Sequence, residues 1–238
     1  MEDNKRYHFK VDETAKAVTI REGKALEEKP KREESVRGII DTPYRYLSKR
    51  PDINLKEAHL MVDRQSKSIL LRANTRNPWG TDKAEGCISP HPDIELFKIN
   101  EDHQWNHKAL STLIRMNRTM FSTRKEATEL ANKFRDLEVM AKTELKNMDD
   151  ERGSFEIKSS KAIQKINIPE SFDMRAVLHI GGEAHPFKVD VIINPADYGV
   201  QLISNEMKEA AEAEAERFIN EVVKDVEKDF SDLLIYEQ

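Results

Sequence analysis

Apolar residues recur along this chain with two distinct periods. Leu110, Leu113, Ile114, Asn117 and Phe121 fall on one face at a spacing of three to four, which predicts a helix. Thr123-Arg124-Lys125-Glu126 has the form of a capping box. It opens a second predicted helix with Ala127, Leu130, Ala131, Phe134, Leu137 and Ala141 on one face, and Gly153 ends this region. The same spacing returns in Met207, Ala211, Phe218, Val222, Val226, Phe230 and Leu233, a long final helix capped by Ser204 or Asn205.

Elsewhere the period is two. Ala58 to Asp63 and Ser68 to Ala73 read as strands joined by the polar turn Arg64-Gln65-Ser66-Lys67. Asp93 to Ile99 reads as a third strand. MRAVLHI and HPFKVDVII flank Gly181-Gly182, a hairpin signal, and Val200 to Ile203 follows after the turn Asn194-Pro195 to Gly199. Residues 74–86 read as a loop broken by Pro78, Gly80 and Gly86. In RGIIDTPYRYLSKR, Asp41 or Thr42 caps a short helix with Pro43 at its first position, where no N–H is needed. The order of strands and helices implies an α+β fold: an antiparallel sheet with a central helical pair and a long C-terminal helix. Three parts are expected: a charged arm over 1–35, with short strands at Tyr7–Val11 and Ala17–Ile20 and a solvated linker at 24–35; a core domain over 36–205; and an acidic helix over 206–238 that packs on the core or on a partner.

Composition narrows the class. Of 238 residues, 38% are hydrophobic and 35% charged, enough for a core if some helix or arm is exposed. The net charge of −5 excludes a wholly basic wrapper of nucleic acid but leaves room for a local patch. Cys87 is the single cysteine, which suits a reducing compartment. No run resembles a signal peptide or a membrane span. The expected location is the cytoplasm.

Several local patterns invite a chemical reading. EDHQWNHKAL places His103 and His107 four apart, as in metalloprotease helices, but the general-base position holds Gln104 and no third ligand is signalled. Glu156-x-Lys158 resembles half of a metal-dependent nuclease strand, with Asp149 and Asp150 preceding it. NPWGTDK has one glycine and lacks the G-K-[ST] of a phosphate loop. There is no G-x-S-x-G, Cys–His nucleophile signal or dinucleotide fingerprint, so neither catalysis nor a cofactor is indicated, and no metal site is assigned.

Charge gives the remaining candidates. Lys108, Arg115, Arg118, Arg124 and Lys125 give +5 over 108–125 with no acidic residue between them, and Lys108, Arg115 and Arg118 can share one helical face for phosphate. Arg72, Arg76 and Trp79 add a stacking platform for a single strand. Residues 204–238 carry 11 acidic and 4 basic side chains, a net −7. Their stripe of Phe218, Val222, Val226 and Phe230 is either core or an interface with a protein partner or a second copy.

The order RGIIDTPYRYLSKR, AHLMVDRQSKSILLRANTRNPWGTDKAEG, HPDIELFKIN, NHKALSTLIRMNRTMF and INIPESFDMRAVLHIGGEAHPFKVDVII resembles the YfdQ-like phage and prophage proteins of unknown function, over about residues 36–235. The loop Asn77–Asp82 departs from that pattern in lacking a histidine. The resemblance implies a phage or prophage accessory protein acting in DNA metabolism or against host defence. The expected activity is non-enzymatic binding of a phage or host protein. A single-stranded DNA-binding or annealing accessory and a metal-dependent nuclease are the alternatives.

Overall fold

The computed structural model describes residues 33–76, 80–147 and 168–238. Among these, eight strands and five α-helices are arranged around two hydrophobic cores.

The first core lies under a five-stranded sheet. It contains β1 (Ser35–Ile39), β2 (His59–Asp63), β3 (Ser68–Ala73), β4 (Asp82–Cys87) and β8 (Leu234–Glu237), in the order β1-β4-β3-β2-β8. The β1/β4 and β2/β8 pairs are parallel and the others antiparallel. Alternation turns Leu60, Val62, Ile69, Leu71, Ala73 and Ala84 to one face, where all are fully buried. Helix α1 (Thr42–Lys49) and the C-terminal half of α5 (Asn205–Asp229) cover that face. Gly86 permits the close approach of the corner before α1: a Cβ there would stand 2.4 Å from the Ile40 carbonyl oxygen. Arg64, in the β2–β3 turn, ties the sheet to Glu216 and Asn220 of α5 and to Glu237 of β8.

The second core lies between a three-stranded antiparallel sheet and a helical pair. The sheet is β5 (Ser171–Val177), β6 (Ala184–Ile193) and β7 (Val200–Ile203). The pair is α3 (His107–Met116) and α4 (Arg124–Asn147), preceded by the short α2 (Pro92–Glu95). Leu110, Ile114, Phe134 and Leu137 meet Phe187, Val189, Val200 and Leu202 in one buried cluster. Full burial of each large side chain contributes about 1.5–3 kcal/mol. Ser204 caps α5, its Oγ accepting from the Met207 amide at 3.0 Å and donating to the Lys188 carbonyl at 2.6 Å. The Asn100 amide pairs with both backbone groups of Ser204 at 2.8 Å. Helix α5 is common to both cores: Met207, Ala210 and Ala211 pack on the second, Ile219, Val222 and Val226 on the first.

The α+β class, the helical pair and the long final helix agree with expectation. The single antiparallel sheet does not: there are two sheets, and the larger is mixed. Residues 93–99 are not a strand. His91 Nδ1 accepts from the Asp93 amide at 3.3 Å, Pro92 opens α2, and Ile94 and Phe97 are buried at helical spacing while Leu96 is exposed. The loop expected at 74–86 contains β4, whose inward positions are Asp82, Ala84 and Gly86, so no apolar alternation marks it. Helix α5 ends at Asp229, and the chain then turns to add β8 to the sheet. The strands expected at Tyr7–Val11 and Ala17–Ile20, and most of the arm at 1–35, lie outside the described residues.

Candidate functional site

Among the described helices, α1 and α5 cover the mixed sheet, both from one side. The other side presents the alternate residues of each strand. One cross-strand row runs Arg37, Glu85, Leu70, Met61, Tyr236, and the next runs Ser35, Lys83, Arg72, His59, Leu234. Leu234 and Tyr236 are 57% and 53% exposed, Arg72 and Arg37 are exposed, and Met61, Leu70, His59 and Lys83 are half-buried.

The electrostatics of this face run against simple sheet stability. Arg72 and Lys83 are directly opposite across β3 and β4, on the same face. Like charges so placed destabilise a sheet by a few tenths of a kcal/mol to about 1 kcal/mol. Lys83 has one distant acid, Glu33 at 3.9 Å, and the Arg72 guanidinium has no ion pair among the described residues. On the neighbouring strand, directly opposite Arg72, the His59 ring meets Tyr236 of β8 edge to face at 5.9 Å. Arg37 lies 3.8 Å from Glu85 and also donates to Cys87 Sγ at 3.5 Å. The arrangement offers cations for an anionic backbone and a ring for a planar base.

Of the residues singled out in the sequence, Arg72 is on this face and Arg76 is exposed on the loop that leaves β3. Trp79 lies outside the described residues, as do Asp149, Asp150, Glu156 and Lys158. Lys108 and Arg115 are exposed on α3, whereas Arg118 is exposed on the 3-10 turn after it, so the three do not share one helix face as expected, and each makes a local contact. Lys108 is 3.5 Å from Glu138, and Arg115 donates to the Asn132 side chain at 2.6 Å. Arg118 donates to the Arg115 carbonyl at 3.0 Å. Val222 and Val226 are buried in the first core, and Phe218 and Phe230 pack half-buried against it.

His103 and His107 do not share a helix face. Asn106 caps α3, so His103 precedes the helix, its ring edge to face with Trp105 at 4.6 Å. His107 is buried, and neither ring nitrogen has a hydrogen-bond partner among the described residues; the nearest acid is Glu138 at 3.7 Å. Burial, aided by Lys108, pushes its pKa below the usual histidine value against the pull of Glu138.

One buried constellation is not legible in the sequence. Glu214 of α5 is 2% exposed and reaches the hairpin between β5 and β6. Its carboxylate accepts from His179 Nδ1 and from His185 Nε2, each at 2.9 Å, with Arg217 at 3.6 Å. A Cβ on Gly182 would stand 2.5 Å from Glu214 Oε1, so glycine at this turn admits the carboxylate. The two histidines share one hairpin, but Glu214 is 35 and 29 residues beyond them, in an Ala/Glu-rich run that reads as solvated helix.

Among the described residues no group of three or more His, Cys, Asp or Glu side chains is placed to hold a metal ion. No described helix is long and apolar enough to cross a membrane. Comparison with protein-family models, curated proteins and solved structures gives no match.

Proposed function

We propose that this chain is a non-enzymatic binding module in which the face of the mixed sheet opposite α1 and α5 takes single-stranded nucleic acid. The observation that carries this reading is the opposed pair Arg72 and Lys83 on a face over which no helix packs among the described residues. A bound phosphate between the two cations turns their repulsion into attraction. Tyr236, supported by His59, is the stacking surface, and a base stacked on an aromatic ring contributes about 1–3 kcal/mol. The acidic polar side of α5 belongs to the opposite side of the sheet, which keeps a chain of net −5 compatible with an anionic ligand. The resemblance to phage and prophage proteins supports a role in phage DNA metabolism, as a single-strand-binding or annealing accessory.

Fluorescence anisotropy of labelled single- and double-stranded oligonucleotides over a salt series tests this. Single strands should bind in preference to duplex, with affinity falling as salt rises. Arg72→Glu should weaken binding about tenfold or more and flatten the salt dependence by about 0.7 for each phosphate that is no longer neutralised. Tyr236→Ala should weaken binding without changing that slope. Absence of single-strand binding at low salt defeats the proposal.

A further inference from the structure

A cleft of about 310 Å³ lies where the two cores meet along α5. Its apolar wall is built from three directions: Ile39 from the end of β1, Ile180 from the β5–β6 turn, and Phe218 and Val222 from α5. Ile39 is 37% exposed and Ile180 43% exposed, so two isoleucines from different parts of the fold stand open on the same cleft.

The rim is acidic. Glu221 and Asp225 line it one helical turn apart, and like charges at that spacing destabilise a helix by a few tenths of a kcal/mol. Neither has a cation within ion-pair distance among the described residues. Asp41 also lines the cleft. Arg45 is bound to its Oδ2, whereas its buried Oδ1 has no hydrogen-bond partner among the described residues. The cleft therefore combines open aliphatic surface with carboxylates in excess of cations.

We infer that this cleft docks a basic amphipathic helix of a protein partner. At about 310 Å³ the cleft is at the small end of the range of ligand pockets, and its open aliphatic wall suits an anchoring side chain. The carboxylates are spaced about one turn apart along α5, which matches lysines or arginines at i, i+4 on a helix laid alongside it, their stems over Ile180 and an aliphatic anchor in the cleft. This site is on the helix-covered side of the mixed sheet, so it is independent of the nucleic-acid face.

The test uses a labelled helix-forming peptide of leucine and lysine, with its leucine–glutamate counterpart as control, and the full chain. The lysine peptide should bind and the glutamate peptide should not. Glu221→Lys with Asp225→Lys should weaken binding about tenfold or more. Glu209→Lys with Glu212→Lys makes the same change in net charge at exposed positions nearer the start of α5, and should leave most of the affinity. Ile180→Ser should weaken binding with no change of charge. Equal losses in the two double-lysine variants would mean diffuse attraction to an acidic protein and overturn the inference, as would failure of the peptide to bind. A dimer in sedimentation that Glu221→Lys with Asp225→Lys dissociates would make the occupant a second copy of the chain and also overturn it.

Discussion

The carboxylate of Glu214 accepts a 2.9 Å hydrogen bond from the Nδ1 of His179, and both residues are buried. This pair pins the β5–β6 hairpin to α5. Hydrogen bonds to a charged group contribute about 1.5–3 kcal/mol each. Glu214→Gln keeps the shape but not the charge, and it should lower the unfolding free energy by about that amount in urea titrations. An unchanged midpoint would show that the triad contributes nothing net.

The same carboxyl sets an acid limit. Burial pushes its pKa up, but the hydrogen bonds from His185 and His179 together pull it further down, so it lies below the ordinary value of 4.5. The folded chain then holds fewer protons than the unfolded chain in the window just below 4.5. The contribution of Glu214 is full above that value and is lost as pH falls through the folded-state value. Denaturant midpoints should drop on that side, and the drop should be smaller in Glu214→Gln.

His107 acts in a higher window. Its depressed pKa means that below 6.5 the unfolded chain takes up a proton the folded chain does not. Its effect on stability is absent above 6.5 and grows more adverse as pH falls toward the folded-state value. His107→Leu also removes two buried ring nitrogens without partners among the described residues, and such a replacement is nearly neutral or stabilising. The variant should match the parent near neutral pH and exceed it at about pH 5. NMR titration should show the His107 ring neutral below 6.5.

Arg72→Glu separates stability from binding. It converts a like-charge cross-strand pair with Lys83 into an opposite-charge pair. Thermal stability should rise by a few tenths of a kcal/mol up to about 1 kcal/mol while single-strand affinity falls. Loss of both together would instead indicate a structural role for Arg72.

Ser204→Ala should cost about 0.5–2 kcal/mol, because it removes the α5 cap and leaves the Lys188 carbonyl without its 2.6 Å donor. A circular-dichroism melt is the measurement.

Where periodicity and capping chemistry coincide, the sequence is readable. Ser68–Ala73, Val200–Ile203, the Thr123 cap and the Ser204 cap are all where their residues place them. The misses have physical causes. β4 buries Ala84 and Gly86 because the corner before α1 crosses it, so its inner face is small rather than oily. Residues 93–99 carry both periods, and tertiary burial of Ile94 and Phe97 selects the helical one. The Arg72 platform is half legible: the arginine stands out in the sequence, but its partner Lys83 becomes visible only with the register of β4. Glu214, His179 and His185 meet through topology alone, and no local spacing announces them.

The parallel pairing of β8 with β2 has a consequence for the order of folding. Arg64 and Glu237 are in contact although 173 residues separate them. The sheet whose other strands all lie within residues 35–87 is therefore completed only by a strand at 234–237. Until then β2 keeps an unpaired edge, and α5 is not yet present to cover Leu60 and Val62. Such long-range closure slows folding and leaves nascent chains open to association. Its kinetic signature would be an early helical phase from α3 and α4, followed by a slower phase in which the mixed sheet closes.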